Sequence, residues 1–267
     1  MSIFFLGDMV RERHGIFNPP FFAYDPDALA YFATAGITDS AAKQQINSFV
    51  TGVKSLGLWN SMVCWPLRSS QNAGAGATAY SLGGLGSYDA AFAGSSAPTW
   101  GANGTTFATG GTNYMTFTDI TMSYPFGFSA VANNGSGADA SPMLQKSVSG
   151  GLALSLNQYE TLLGINGVSL NILTGFAGFS TPNVATMMNG RVTGNTSFYV
   201  SANGDAETLF TPTTGNFNSA PVNRVSGRRG LETTNLAIAL LTSGLTFDNT
   251  LLYPLYKSTL GQGLGLP

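Results

Sequence analysis

Short apolar runs broken by turn-forming pairs recur through most of this 267-residue chain, and that punctuation leaves little room for long helices. The runs Tyr114-Met115-Thr116-Phe117-Thr118, Phe126 to Val131, Leu152 to Leu156, Val168 to Leu173, Thr196 to Val200 and Leu236 to Leu241 alternate or are wholly apolar, as strands do. Between them stand Asn133-Asn134-Gly135, Ser149-Gly150-Gly151, Asn166-Gly167 and Asn203-Gly204-Asp205. Asn166-Gly167 and Asn203-Gly204 suit tight hairpins, because both central residues of a type I′ turn need positive φ. The pattern predicts a mainly β fold, an antiparallel β-sandwich, and the length suits one large β-domain.

Helical spacing is confined to the stretch from Asp25 to Leu67. Asp25 is a good N-cap, Pro26 fits the first helical position, and Asp27 places a carboxylate in the first turn. Leu29, Phe32 and Ala33 are expected on one buried face, with Gly36 as the left-handed stop. A second helix is expected from about Thr38 or Asp39, burying Ala42, Ile46, Phe49, Val50, Val53 and Leu56 and ending at Gly57. The organisation expected is therefore an extended arm over 1–24, a helical leader over 25–67, and a sandwich over 68–267 with long Gly-rich loops and a short C-terminal helix. In the arm, Ile3, Phe4, Phe5, Phe17, Phe21 and Phe22 are large and apolar yet follow no period, and Pro19 and Pro20 forbid a continuous helix. Such a segment must lie on another surface, either its own domain or a neighbouring subunit, and these residues are the candidate docking contacts.

The order Asp25-Pro26-Asp27-Ala28, Ala35-Gly36-Ile37-Thr38-Asp39, Gln45-Ile46-Asn47, Val53-Lys54 and Leu58-Trp59 before Pro66 resembles a leader found in virion proteins of tailed bacteriophages. The resemblance covers residues 25 to 67 well and the remainder more loosely. It implies a laminin G-like or concanavalin A-like jelly roll after the leader, a place in the virion, and other virion proteins, capsid or tail subunits, as partners. The end of the chain, Leu245-Thr246-Phe247-Asp248-Asn249 followed by a short apolar helix interrupted or redirected at Pro254, suits the closing segment of such a jelly roll.

Composition agrees with that setting. Asp, Glu, Lys and Arg make up only 9% of residues, against about 25% in ordinary soluble domains. A polar but weakly charged surface suits a permanent assembly, although an ordinary secreted β-protein can share it. A net charge of −2 argues against nucleic acid as a partner. No secretory signal is expected in MSIFFLGDMVRERHG, and no apolar run approaches the ~18 residues of a membrane span. Cys64, the only cysteine, lies between Val63 and Trp65 and is expected to be a buried, inert thiol. The Gly-rich stretch from Asn72 to Gly111 carries Tyr80, Tyr88, Phe92, Trp100 and Phe107, so ordered loops and short edge strands are expected there rather than a linker.

Residues for chemistry are few. His14 is the only histidine and sits on the irregular arm, which argues against a catalytic triad or a structural zinc. Glu160, Glu207 and Glu232 are isolated, without the paired carboxylates of a glycosidase. No enzyme activity and no cofactor are expected. Calcium is the ion left open, through Asp139, Asp205 and Asp248, each of which reads more simply as a turn cap. Arg224, Arg228 and Arg229 form a basic cluster that reads as a solvated loop, or as a fork for an acidic subunit patch or a sialylated or phosphorylated glycan. Trp100, Tyr114 and Tyr159 are candidate platforms for sugar rings. The leading expectation is a non-enzymatic structural component of a phage particle, a head decoration or accessory protein displaying a lectin-like jelly roll. The alternative is a carbohydrate-binding module of a tail fibre or receptor-binding apparatus, with a host glycan as partner. Self-association is a further partner expectation.

Overall fold

The computed structural model describes residues 23–94, 98–107, 113–134, 142–145, 153–156, 161–165, 168–171, 184–194, 197–210, 221–227 and 234–267. The arm residues Ile3, Phe4, Phe5, Phe17, Phe21 and Phe22, together with Tyr159, Arg228 and Arg229, lie outside them.

Two helices come first, α1 (Pro26–Thr34) and α2 (Ser40–Ser55), then a 3-10 turn (Trp59–Ser61). A back sheet runs β1 (Met62–Pro66), β15 (Thr234–Ser243), β6 (Phe126–Asn134), β11 (Ala185–Gly194), β12 (Ser197–Ala202) and β13 (Thr208–Phe210), with β4 (Thr105–Phe107) also on β15. A front sheet runs β10 (Val168–Asn171), β9 (Thr161–Ile165), β8 (Ala153–Leu156), β7 (Pro142–Gln145), β14 (Pro221–Gly227), β5 (Tyr114–Thr121), β3 (Ala90–Ala93) and β2 (Thr78–Ala79). The pairings in both are antiparallel, giving the expected mainly β sandwich. The last helix, α3 (Asn249–Ser258), follows β15.

Two apolar layers hold these parts together. Between the sheets, Trp65, Phe126, Phe128 and Phe198 of the back sheet meet Phe92, Met115, Phe117, Val222 and Val225 of the front sheet. On the other side of the back sheet, Met62, Cys64, Met187 and Leu240 pack under Ile46, Phe49 and Val53 of α2 and Leu252 and Tyr256 of α3. Each fully buried side chain of this size contributes about 1.5–3 kcal/mol. The back sheet is thus apolar on both faces, and every residue of β1 is buried.

The caps follow the sequence. Asp25 accepts from the Asp27 N–H and Asp39 from the Ala42 N–H, and Gly36 and Gly57 close the two helices at φ +66° and +71°. Asn203 and Gly204, at φ 46° and 81°, turn the chain between β12 and β13, and the Asp205 N–H donates to the Ala202 carbonyl at 2.7 Å. Ile165 pairs with Val168, so two residues separate β9 from β10.

Three expectations need correction. Helix α1 buries Ala28, Tyr31 and Phe32, while Leu29 is 49% exposed and Ala33 is also exposed. The buried stripe is rotated because Tyr31 belongs to it, its hydroxyl donating to the Gln71 carbonyl at 2.9 Å. Pro254 does not interrupt α3, which continues to Ser258. Arg224 lies within strand β14 rather than in a loop. The chain beyond α3 returns to its own domain: Leu260 and Leu266 are buried, and the Arg68 guanidinium donates to the carbonyls of Ala102, Leu260 and Gln262 at 2.8–3.0 Å.

Candidate functional site

The helices cover the outer face of the back sheet, whereas the outer face of the front sheet carries half-exposed polar and aromatic side chains at its centre. Along β5, Met115 and Phe117 point into the sandwich, so Tyr114 and Thr116 point outward by the two-residue period of a strand. Across the sheet, the small side chains of Ala91 and Ala93 of β3 stand opposite Thr116 and Tyr114. On the other flank Arg224 of β14 stands opposite Thr116. Between Val222 and Arg224 the register shifts, because Val222 faces Ile120 while Arg224 faces Thr116. An irregularity of this kind re-aims the side chains beside it. Thr116 Oγ1 donates to the Asn223 carbonyl at 3.0 Å and Asn223 Nδ2 donates to Asp119 Oδ1 at 2.8 Å, fixing the shifted segment.

The result is an arginine laid on a tyrosine. Cζ of Arg224 is 3.6 Å from the centroid of the Tyr114 ring, and its buried Nε has no hydrogen-bond partner among the described residues. The same unit occurs on the back sheet, where Arg191 of β11 lies 3.8 Å from the ring centroid of Tyr199, its partner on β12. There the guanidinium also meets Glu207, with Nε 2.7 Å from both carboxylate oxygens. Those hydrogen bonds raise the Arg191 pKa against the opposing effect of burial. Glu207 is therefore a structural partner. The sequence offered no sign of this pairing, which depends on cross-strand register.

Of the residues singled out in the sequence, the structure brings Tyr114 and Arg224 together. Trp100 is elsewhere: it packs on the inward-facing Phe92 with ring centroids 5.2 Å apart, and its indole N–H donates to the Gly76 carbonyl at 3.1 Å. Arg228 and Arg229 follow β14 in sequence, outside the described residues. Asp205 stands in the β12–β13 turn, and Asp248 caps α3 by accepting from the Thr250 N–H at 2.9 Å. Among the described residues no group of three or more His, Cys, Asp or Glu is placed to hold a metal ion, and no helix is long and apolar enough to cross a membrane. Cys64 is fully buried, and burial pushes its thiol pKa well up, so it stays protonated and unreactive.

No protein-family model matches the sequence, and no curated protein matches it. Solved structures do share the fold. The ligand-binding domain of botulinum neurotoxin serotype D in complex with N-acetylneuraminic acid aligns with a TM-score of 0.55 at 9% identity, over 78% of this chain and 52% of that one. A structure of botulinum neurotoxin type C, whose cell entry depends on two ganglioside molecules, aligns with a TM-score of 0.53 at 10% identity, over 76% and 52%. The serotype D binding domain alone gives 0.54 at 8% identity, over 74% and 52%. The match spans about half the length of those chains. At these identities the likeness is one of fold.

Proposed function

We propose that this chain is a non-enzymatic binding module of a tailed-phage particle, and that its front sheet takes an acidic glycan at Tyr114 and Arg224. One observation carries the reading. Among the described residues the arginine-on-tyrosine unit is present twice, and at Arg191 it holds the Glu207 carboxylate, whereas Arg224 has no carboxylate partner among them and its buried Nε is unpaired. A sugar carboxylate at the terminal nitrogens of Arg224 would supply the charge partner that Glu207 supplies to Arg191, while the sugar's C–H groups would lie against the tyrosine ring. Bidentate, charge-assisted pairs of this kind are among the stronger hydrogen-bonding arrangements. N-acetylneuraminic acid, held by the serotype D domain of the same fold, is a sugar of this class.

Titration with sialyllactose against lactose tests the reading. The wild-type protein is expected to prefer the acidic sugar. Arg224→Ala should weaken that binding about tenfold or more, from the roughly 1.5–3 kcal/mol of a charged hydrogen bond. Arg224→Lys should not restore it, since a point charge cannot replace the planar fork. Equal affinity for the two sugars, or an unaffected Arg224→Ala protein, would refute the assignment.

A second reading, a head decoration, is favoured by the apolar arm of residues 1–24 and the 9% of charged residues, both suited to permanent contact with other subunits. Quantitative mass spectrometry of purified particles separates the two. A copy number matching the capsid subunits supports the head, and one matching a single tail supports the receptor-binding apparatus. Deleting residues 1–24 is expected to leave a folded domain that no longer joins the particle, and unchanged incorporation would rule out docking through the arm.

A further inference from the structure

A cleft of about 630 Å³ opens well away from Tyr114 and Arg224, lined by Asp27, Lys54, Gly57, Trp59, Asn60 and Gly84. Its size falls in the ~300–1,000 Å³ range of small-molecule sites. Local hydrogen bonding fixes its walls. Gly57 ends α2 in the left-handed conformation, with the Gly57 N–H donating to the Lys54 carbonyl at 2.9 Å and the Leu58 N–H to the Val53 carbonyl at 3.1 Å, so Trp59 follows after a sharp turn. The facing loop is tied to this turn by the Gly84 N–H, which donates to the Trp59 carbonyl at 2.9 Å. Lys54 Nζ is held 2.7 Å from Asp25 Oδ1 and 2.5 Å from Asp27 Oδ2, and lies 5.1 Å from the Trp59 ring centroid.

Gly84 lies close against the edge of the indole, where no larger side chain fits. A Cβ at that position would sit 2.7–2.8 Å from Trp59 Cδ1 and Nε1 and 2.9 Å from Asn60 Oδ1. Among the described residues, neither the Trp59 indole N–H nor the Asn60 amide has a hydrogen-bond partner. The cleft therefore presents an aromatic surface, an indole N–H donor, an amide that both donates and accepts, and the Asp27 oxygen not paired with Lys54. Its charges narrow the ligand. Lys54 is committed to two carboxylates, so no spare cation remains for an anion, and its ammonium beside the indole repels a second cation. An uncharged ring bearing hydroxyl groups satisfies the remainder, its hydroxyls pairing with the amide, the carboxylate and the indole N–H while its C–H face lies on the indole.

We infer that this cleft is a second binding site, for one uncharged sugar ring. It stands on different residues from the front-sheet site and does not depend on that reading. The test is titration of the full-length, nitrogen-15-labelled protein with the methyl glycosides of glucose, galactose and mannose and with N-acetylglucosamine, following the indole N–H signals of its three tryptophans. Trp59→Phe assigns the Trp59 signal. At least one of the four sugars is expected to shift it saturably while the signal of the buried Trp65 stays in place. Asn60→Ala, on an exposed side chain, and Gly84→Ala, at a backbone conformation open to alanine, should each weaken binding about tenfold or more. Arg224→Ala should leave it unchanged. Absence of a saturable shift with all four sugars, or full binding by both the Asn60 and Gly84 variants, overturns the inference. Loss of binding in Arg224→Ala does so as well, by moving the neutral sugar to the front sheet.

Discussion

Trp65→Ala is expected to destabilise the fold by about 3–5 kcal/mol, the cost of truncating a large aromatic side chain in a packed core. Trp65 has no exposed surface, and its indole lies 4.5 Å, centroid to centroid, from Phe117 of the front sheet. Its N–H donates to the Tyr88 carbonyl at 2.9 Å. One side chain on β1 therefore packs the back sheet against the front sheet and anchors the loop before β3. Alanine would leave a cavity between the sheets and an orphaned carbonyl, a further cost. Trp65→Phe keeps most of the packing and loses the hydrogen bond, so a smaller cost of about 1–2 kcal/mol is expected. Urea unfolding measures both as a shift in midpoint at constant slope. A loss below about 1 kcal/mol for Trp65→Ala would show that the sheets are not held together here.

The strands visible in the sequence are those whose burial follows a simple rule. β6 and β15 are long apolar runs because the core lies on one face and the helices on the other. Helices α1 and α2 were legible from Asp25 and Asp39 as caps and from the stripe Ile46, Phe49, Val50 and Val53. β11 was not, although it is central to the back sheet, because the pair Asn189-Gly190, of a type common in turns, breaks its apolar run. In the fold Asn189 pairs with Ser129 of β6 by a buried side-chain hydrogen bond, so a polar residue occupies the middle of a central strand. β14 escaped for another reason. The register shift beside Arg224 puts its buried residues, Val222 and Val225, three apart, and period-two alternation is lost. The candidate site was half legible for the same reason. Tyr114 and Arg224 were recognisable as residue types, but only the pairing of β5 with β14 stacks one on the other.

The double-sided back sheet also bears on how binding could be arranged. Helices over one face confine ligand contacts either to the front sheet or to the seams between helix layer and loops, and the two candidate sites occupy those two places.

Gly83→Ala is expected to cost about 3–5 kcal/mol, as large as the loss of the core tryptophan. Gly83 has φ +145°, a region that residues with a Cβ disfavour, and an added Cβ would lie 2.2 Å from the Met62 carbonyl oxygen and 2.9 Å from Val63 Cα. Those neighbours are backbone atoms of a fully buried strand, so the loop rather than β1 must move. The loop is bound to that strand by reciprocal Cys64–Leu82 backbone hydrogen bonds of 2.8 Å and by the Leu85 N–H donating to the Met62 carbonyl at 3.1 Å. Displacing it breaks those bonds and exposes Leu82, now 3% accessible. Gly84→Ala is the matched control. It meets side chains, Trp59 and Asn60, rather than backbone, and a smaller cost of about 1–2 kcal/mol is expected. Equal midpoints for the two variants in denaturant unfolding would show that the close approach of Gly83 to β1 does not hold the loop. A large loss confined to Gly83→Ala would establish that this contact holds the loop against β1.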